Sequence, residues 1–388
     1  GLGDVRPPGA TELLMDLVAD PWSSMRAAAL SSLAKIDPAG FVTILSSLEP
    51  DSHWWVRAAV ARALGGVDPA VAVPRLTGML ADTDRRVVPA VLAALARLKP
   101  PDLEARLREH LRDPDPVVRA TAARELGALK PADGVDVFAS AYRAWAADDT
   151  YVARAAALAA AAAYGAPAVP LLREALADRE WAVRVRALEL LRGLDPEAAA
   201  AADLGPATAG DPALYEAPEL LTPKFSPHLY VETSRGLVEI ELAVTDAPLA
   251  THRIMTLARK GFFAKLFFHR VEPGYVVQTG DPRGDGEGGP GFTIRDELSP
   301  RPYLRGTVGL ALDWRDTAGS QFFVTYAPQP HLDGRYTIIG RVVAGMEVID
   351  RLQQWDTIER VRVWDGTTLT GAASRGAGDG QAKRRPRR

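Results

Sequence analysis

The stretch F-F-H-R-V-E-P-G-Y-V-V-Q-T-G-D at residues 267–281 decides how the C-terminal part of this chain folds, and G-S-Q-F-F at 319–323 is its counterpart. A single arginine, Arg270, is flanked by apolar residues that are typical of strands. Gln278 and Gln321 lie at the ends of short β-like runs. Together these residues predict a small apolar pocket that is rimmed by fixed amide and guanidinium donors.

The same stretches exclude most kinds of catalytic site. They contain no nucleophile with its base and no metal cluster, and the six histidines of the chain form no close pair at metal-ligand spacing. The glycine-rich run at 284–291 lacks the Gly-Lys-Ser/Thr ending of a phosphate loop and is interpreted as a surface loop. We therefore expect no metal and no cofactor. A pocket of this kind suits chemistry that needs only apolar contacts and a few hydrogen bonds, such as rotation about a bond.

Several collinear motifs make this part of the chain, at about 228–365, strongly resemble the cyclophilin-type peptidyl-prolyl isomerases. A lone G-S-Q would not be specific, but the ordered set is. The motifs are F-H-R-V at 268–271, P-G-Y-V-V-Q at 273–278, G-D-P at 280–282, G-S-Q-F-F-V at 319–324, L-D-G-R-Y at 332–336 and I-G-R-V at 339–342.

The resemblance implies a closed eight-stranded β-barrel with two capping helices, and an enzyme that turns X-Pro peptide bonds in proline-containing peptides or unfolded protein clients. It gives Arg270 the catalytic role and makes Gln278 the residue that holds the substrate backbone and orients Arg270. It assigns the proline pocket and its rim to Tyr275, Val276, Phe323, Leu332, Ala311, Leu312, Gln321, His331 and Tyr336.

The sequence departs from the common family pattern at five of these positions. Eukaryotic members usually have Phe and Met where this chain has Tyr275 and Val276. Leu312 replaces an Asn of the family pattern, His331 stands where cyclosporin-sensitive members have Trp, and Tyr336 replaces a His that is common at the pocket edge. The resemblance therefore implies weak cyclosporin binding, and activity that is retained but reduced, since bacterial members vary at these places. His269, next to Arg270, is expected to be a packed and hydrogen-bonded structural residue.

Composition predicts a multidomain protein of the ordinary globular kind. The chain has 388 residues, of which 47% are hydrophobic and 24% charged, with a formal net charge of −3 and no cysteine. A net charge this small gives no overall electrostatic attraction to nucleic acid or to a membrane surface. No apolar run is long enough to span a bilayer. Because the sequence starts at Gly1, we expect the native start to have been removed, which leaves cytoplasm and periplasm or cell envelope both open.

An internal repeat of about 31 residues organises residues 1–200. It is marked by the aspartates Asp20, Asp51, Asp82, Asp113, Asp148 and Asp178. Six residues after most of them comes an arginine, namely Arg26, Arg57, Arg119, Arg154 and Arg184, with Val88 in the third repeat. Each unit is predicted to be a helix, a turn and a second helix, and single units cannot bury their own apolar stripe, so they must stack into an α-solenoid.

These units resemble the short HEAT repeats found in bacterial scaffold proteins. The solenoid is interpreted as a surface that binds a protein partner or client, with an inert spacer as the alternative. A Pro- and Gly-rich linker is predicted at 201–227, the isomerase domain at 228–370 and a disordered basic tail at 371–388. The tail is interpreted as a solvated end. Association with nucleic acid through it is the weaker alternative, and no specific nucleic-acid partner is predicted.

Two functions remain open at this point. The first is a prolyl isomerase that helps proteins to fold and whose solenoid recruits or positions clients. The second is a non-catalytic scaffold whose barrel only binds proline-containing segments. The presence of Arg270, Gln278, Gln321 and Phe323 together favours the first.

Overall fold

The computed structural model describes residues 2–205, 222–366 and 368–371. The chain divides into two compact units, Gly1–Thr208 and Ala209–Arg388. Most of the predicted linker and nearly all of the predicted tail lie outside the described residues. Within the described residues, no helix is both long and apolar enough to cross a membrane.

Over residues 2–205, the regular elements of the N-terminal unit are all helices. They are α1 (Leu2–Val5), α2 (Ala10–Leu17), α3 (Ser23–Ile36), α4 (Pro38–Ser47), α5 (Trp54–Leu64), α6 (Pro69–Met79), α7 (Val88–Leu98), α8 (Leu103–His110), α9 (Pro116–Leu129), α10 (Gly134–Ala144), α11 (Val152–Ala162), a short 3-10 helix (Ala166–Ala168), α12 (Val169–Ala175), α13 (Trp181–Leu194) and α14 (Pro196–Ala200).

Asp-Pro pairs start several of these helices. In α9 the Asp115 carboxylate accepts hydrogen bonds from the backbone N–H groups of Val117 and Val118, while Pro116 occupies the first helical position. This pairing satisfies amides that have no partner inside the helix and presets the first φ angle. The same arrangement starts α4, α6 and α14.

The helices that follow the repeat aspartates pack side by side, in the order α3, α5, α7, α9, α11 and α13. Small residues allow this close approach. A methyl group added at Gly127 of α9 would lie 2.8 Å from the Cβ of Ala160 in α11. The predicted solenoid of helical repeats is therefore what the structure shows in this unit.

The repeat aspartates and arginines form a ladder between neighbouring units. Arg119 donates through Nη2 to the carboxylate of Asp148 in the next unit at 2.6 Å, and through Nη1 to the carbonyl of Asp113 in its own unit at 2.8 Å. Each such arginine thus ties its own turn to the next one. The same link between units is made by the pairs Arg26–Asp51, Arg57–Asp82 and Arg154–Asp178.

The third unit keeps the ladder although Val88 occupies the arginine position. Arg85, three residues earlier, donates to the carboxylate of Asp113 and so supplies the missing cation. Val88 itself is completely buried among the core residues. The sequence pattern marked the gap but did not indicate which residue fills it.

We expect Arg119→Ala to lower the free energy of unfolding of the N-terminal unit by about 3 kcal/mol, because it leaves a nearly buried carboxylate and a carbonyl without their donor. Urea unfolding of the full chain measures the loss. Arg124→Ala on the same helix is the matched control, since the Arg124 side chain is 68% exposed. Equal losses in the two variants would contradict the role of the ladder.

The C-terminal unit is one curled antiparallel sheet with helices packed on it. The strands are β1 (His228–Thr233), β2 (Gly236–Leu242), β3 (Arg270–Glu272), β4 (Val276–Thr279), β5 (Thr307–Leu310), β6 (Phe322–Thr325), β7 (Ile338–Ala344), β8 (Ile358–Trp364) and β9 (Leu369–Thr370). The helices are α15 (Pro248–Arg259) and α16 (Met346–Ile349), with a 3-10 helix at Pro330–Leu332.

The expected closed eight-stranded barrel is not what the structure shows. The nine strands follow the order β3-β4-β6-β5-β7-β2-β1-β8-β9, and no ladder joins the outer strands β3 and β9 within the described part of the unit. The sheet curls enough for Phe267, just before β3, to form an isolated bridge with Thr357, just before β8. A three-residue β3 is too short to extend this bridge into a ladder, so the sheet stays an open half-barrel.

The concave side of the sheet holds the main core. Its members include Leu229, Val231, Val238, Ile240, Val277, Val308, Leu310, Phe322 and Val324, together with Ile254 and Ala258 of α15. A carboxylate from a distant loop caps α15, because Glu297 accepts hydrogen bonds from the amides of Leu249 and Ala250 at 3.1 and 2.7 Å. Alternating side chains leave the convex side free to carry a second group of residues.

His269 is buried, as expected, but its ring is not hydrogen-bonded. Neither ring nitrogen has a partner among the residues that the structure describes, whereas its carbonyl accepts a hydrogen bond from the Gln354 side chain at 2.8 Å. Burial lowers the pKa of His269 from its ordinary value, and the nearby carboxylates of Asp281 and Asp285 oppose this shift only in part. The folded protein therefore favours the neutral imidazole.

This buried imidazole should make the C-terminal unit less stable as the pH falls. A histidine whose folded-state pKa is lowered does not change the free energy of unfolding at pH values above its unfolded pKa of about 6.5. Below that pH the unfolded chain binds a proton more readily than the folded one, so the free energy of unfolding falls. We expect the urea midpoint of this unit, followed by NMR signals of β1 and β2, to decline between about pH 7 and 5 more steeply than in His269→Leu.

The exposed His331 serves as the control for this comparison. If wild type and His269→Leu gave parallel pH profiles, protonation of His269 would not be linked to unfolding.

Candidate active site

One row of residues crosses five strands on the convex side of the sheet. Strand pairing places Arg270 of β3 opposite Gln278 of β4, and Gln278 opposite Phe323 of β6. Phe323 is opposite Gly309 of β5, which in turn is opposite Ile338 of β7. Directly paired residues project to the same face, so the register alone collects these residues on one surface.

A chain of hydrogen bonds fixes the polar side of this row. Arg270 Nη1 donates to Gln278 Oε1 at 3.3 Å, and Gln278 Nε2 donates to Gln321 Oε1 at 2.9 Å. Gln321 Nε2 then donates to the carbonyls of Gly286 and Gly288 at 2.7 and 2.8 Å. The amide orientations are thus set by one continuous network that ends on a loop backbone.

The glycine-rich loop is therefore part of the support of the site. Asp281, which is 1% exposed, accepts hydrogen bonds from the amides of Arg283 and Gly286 at 2.7 and 2.5 Å. This holds the loop carbonyls where Gln321 reaches them. The sequence predicted only a surface loop here, because nothing in a run of glycines shows that its carbonyls face another segment.

Glu272 is a second partner of the catalytic candidate that sequence reasoning missed. Arg270 Nε donates to Glu272 Oε1 at 2.8 Å, and Nη2 lies 2.8 Å from the same oxygen. The guanidinium carbon also lies 5.5 Å from the centre of the Tyr275 ring. Spacing could have indicated this pair, since residues i and i+2 of a strand share a face.

Beside the arginine lies a small apolar group, here called the site cluster. Its buried members are Val276, Tyr303, Phe323, Leu332 and Ile338, and Tyr275, Ala311 and Tyr336 pack against them at the edge. Phe323 meets the Tyr336 ring edge-on with 5.8 Å between ring centres, and Tyr275 stacks on His331 at 5.6 Å. Such a group can receive a compact apolar side chain next to a charged donor.

Tyr303 forms the base of the site cluster and was not predicted. Its ring stacks on Phe323 at 5.7 Å between centres, and its hydroxyl donates to the carbonyl of Tyr336 at 3.2 Å. The space for it comes from Gly309, where an added Cβ would lie 2.3 Å from the Tyr303 hydroxyl oxygen and 2.7 Å from Phe323. A glycine inside a predicted strand was the available signal for such a close approach.

The structure brings together most of the residues that the sequence pointed to. Arg270, Gln278 and Gln321 form the polar side, and the apolar side contains Tyr275, Val276, Ala311, Phe323, His331, Leu332 and Tyr336. Leu312 is the exception, because its half-buried side chain packs against the main core. Its position just beyond β5, one residue after Ala311, turns it toward the concave side.

No group of three or more His, Asp or Glu side chains that could hold a metal ion occurs among the described residues. What the site offers is one guanidinium, two amides in fixed orientation and an apolar surface. This arrangement can bind a peptide through its backbone and place a cation beside one of its bonds.

Comparison with known proteins agrees with this geometry. The family described as "Cyclophilin type peptidyl-prolyl cis-trans isomerase/CLD" matches residues 228–372. The peptidyl-prolyl cis-trans isomerase of Helicobacter pylori is 43% identical over 135 residues, which cover 34% of this chain and 83% of that protein. Peptidyl-prolyl cis-trans isomerase B of Bacillus subtilis is 42% identical over 128 residues, which cover 32% and 90%.

A solved cyclophilin-type isomerase from Cryptosporidium parvum aligns with a TM-score of 0.34 and 29% identity, covering 35% of this chain and 96% of that one. HEAT repeats match at 11–96, 41–127, 89–144 and 104–192 in the helical unit. The identity with isomerases that are covered over most of their own length shows that the chain belongs to the cyclophilin-type peptidyl-prolyl cis-trans isomerases, and it carries this enzyme domain after a series of HEAT repeats.

Proposed function

We propose that Arg270 is the catalytic residue and that the site cluster holds the proline ring of the substrate. The single observation that carries this proposal is the position of the Arg270 guanidinium, which Gln278 and Glu272 hold at the edge of that cluster. Tyr275, Val276, Phe323 and Leu332 are the apolar contacts, and His331 and Tyr336 form the rim.

The chemistry required is rotation about a partial double bond. The barrier of about 18–20 kcal/mol arises because the nitrogen lone pair is delocalised into the carbonyl. In the twisted state this lone pair is localised on a pyramidal nitrogen and can accept a hydrogen bond. A guanidinium donor beside the nitrogen therefore binds the twisted state more strongly than the planar one, which lowers the barrier.

Arg270 is suited to this task because some of its N–H groups orient the guanidinium and the others can donate to a substrate. A guanidinium has five N–H groups and stays charged. Its contacts with Gln278 and Glu272 fix the plane of the group, so donors remain for a substrate nitrogen. Gln278 is a positioning residue in this scheme, and its amide is in turn oriented by Gln321.

The wider role that we propose is that of a folding helper whose helical repeats bind a protein partner or bring clients to the isomerase domain. Such repeats present long surfaces on which a partner can lie. A scaffold that binds proline segments without turning them over is the alternative, and the variants described next separate the two roles.

Replacing the guanidinium should abolish most of the rate enhancement. We expect Arg270→Ala to reduce kcat/KM for a short Ala-Pro peptide by at least about 100-fold, since one preorganised donor to a transition state is worth about that much. NMR exchange spectroscopy measures the rate on the full chain. Arg315→Ala, at an arginine whose side chain is 81% exposed, is the control for a general loss of charge. A wild-type rate equal to that in buffer would favour the binding scaffold.

Removing the charge on Glu272 while keeping its hydrogen bond should raise the rate. We expect Glu272→Gln to increase kcat about threefold, because a carboxylate 2.8 Å from the guanidinium opposes its field at the substrate nitrogen. An increase in kcat with little change in KM is the diagnostic result. A fall in kcat in Glu272→Gln would mean that the carboxylate charge itself is needed to orient Arg270.

A further inference from the structure

A groove with three arginines on its walls lies next to the site cluster. Its volume is about 630 Å³, and Arg301, Arg305 and Arg341 line it together with Glu241 and Leu304. Ile338 belongs to the site cluster and also lines the groove, and the segment that carries Leu304 runs directly on from Tyr303 at the base of that cluster. The groove and the site cluster therefore adjoin each other at Ile338.

Strand register and ion pairs position the three arginines. Arg341 of β7 lies opposite Glu241 of β2 and donates to its carboxylate at 2.7 Å. Arg305 donates to the carbonyl of Tyr326 at 2.8 Å and to the Asp350 carboxylate at 2.6 Å. Arg301 pairs with Asp246 at 2.7 Å. Each cation is thus held at a wall of the groove.

The groove presents its cations more directly than their carboxylate partners. Of the three carboxylates that pair with these arginines, only Glu241 is among its lining residues. The side chains of Arg301, Arg305 and Arg341 are 54%, 46% and 67% exposed. Ion pairs this exposed are weak, and each guanidinium keeps donors for further carboxylates. An incoming acidic group can therefore bind without displacing the existing partners.

We propose that this groove binds an acidic segment of the same polypeptide whose proline lies on the site cluster. This inference rests on the proposed function and extends it to a class of client, namely chains with acidic residues close to the proline. Leu304, whose side chain is exposed by about half, adds an apolar contact for such a segment. The adjoining walls allow one extended peptide to occupy both surfaces.

Single-stranded nucleic acid is the other polyanion that three arginines could bind. It is disfavoured because no aromatic side chain on which bases could stack is among the described residues that line the groove. The continuity with a proline-binding surface points to a peptide instead.

The test compares two labelled peptides on the full chain, each with a central Ala-Pro, one flanked by glutamates and the other by glutamines. We expect the glutamate peptide to bind about tenfold more tightly by fluorescence anisotropy, because charge-assisted contacts to arginine are formed only by it. Arg305→Gln combined with Arg341→Gln should remove this preference. Turnover of a short unflanked Ala-Pro peptide, followed by NMR exchange, should remain at the wild-type level in the same variant.

The matched control is Arg124→Gln, which removes an equally exposed cation from the helical unit. Equal affinity for the two peptides, or an equal loss of preference in Arg124→Gln, would overturn the proposal. So would an oligouridylate that displaces the glutamate peptide at a lower concentration than the unlabelled peptide itself. Absence of wild-type turnover on the unflanked peptide would instead count against the proposed function. The two failures can be told apart because anisotropy measures the preference for the glutamate peptide independently of turnover.

Discussion

The pairing of Arg270 with Gln278 across β3 and β4 is the constraint on which the site depends. Because paired residues share a face, this one register decides that the arginine projects to the same face as Phe323 instead of facing the main core. A slip by one residue would turn Val271 outward and bury the guanidinium. The main core on the concave side therefore fixes the register, and the register in turn fixes the chemistry on the convex side.

The helical unit uses arginine for a different purpose. Arg119 is nearly buried and is surrounded by the carboxylate of Asp148 and the carbonyls of its own turn, so its donors are used for structure. Arg270 is exposed and has only part of its donors engaged. The same side chain is thus a link between repeats where acceptors surround it, and in the proposed mechanism it is a donor to the substrate where N–H groups are left over.

The sequence was sufficient for features that depend on local pattern or on collinear motifs. The Asp and Arg period predicted the stacked helices, and the motifs around Arg270 and Gln321 predicted the residues that meet in the site. It was not sufficient where distant segments approach each other. Tyr303 fills the space left by Gly309, and Arg85 replaces the cation missing at Val88. The spacing of residues in the sequence predicts neither contact. The closed barrel was wrong because β3 and β9 stay unpaired with each other in the described part of the sheet, and collinear motifs do not indicate which edge strands pair.

The contacts of Arg270 combine neutral partners with a charged one. Gln278 and Gln321 hold the guanidinium from one side through neutral amides, while Glu272 holds it from the other through a charge. Neutral partners orient the guanidinium without weakening its electric field. A carboxylate orients the guanidinium and also weakens that field. Substitution at position 272 can therefore change the rate while the pocket and the amide network keep their shape. In the proposed mechanism, the affinity for proline and the rate of rotation are therefore separable properties.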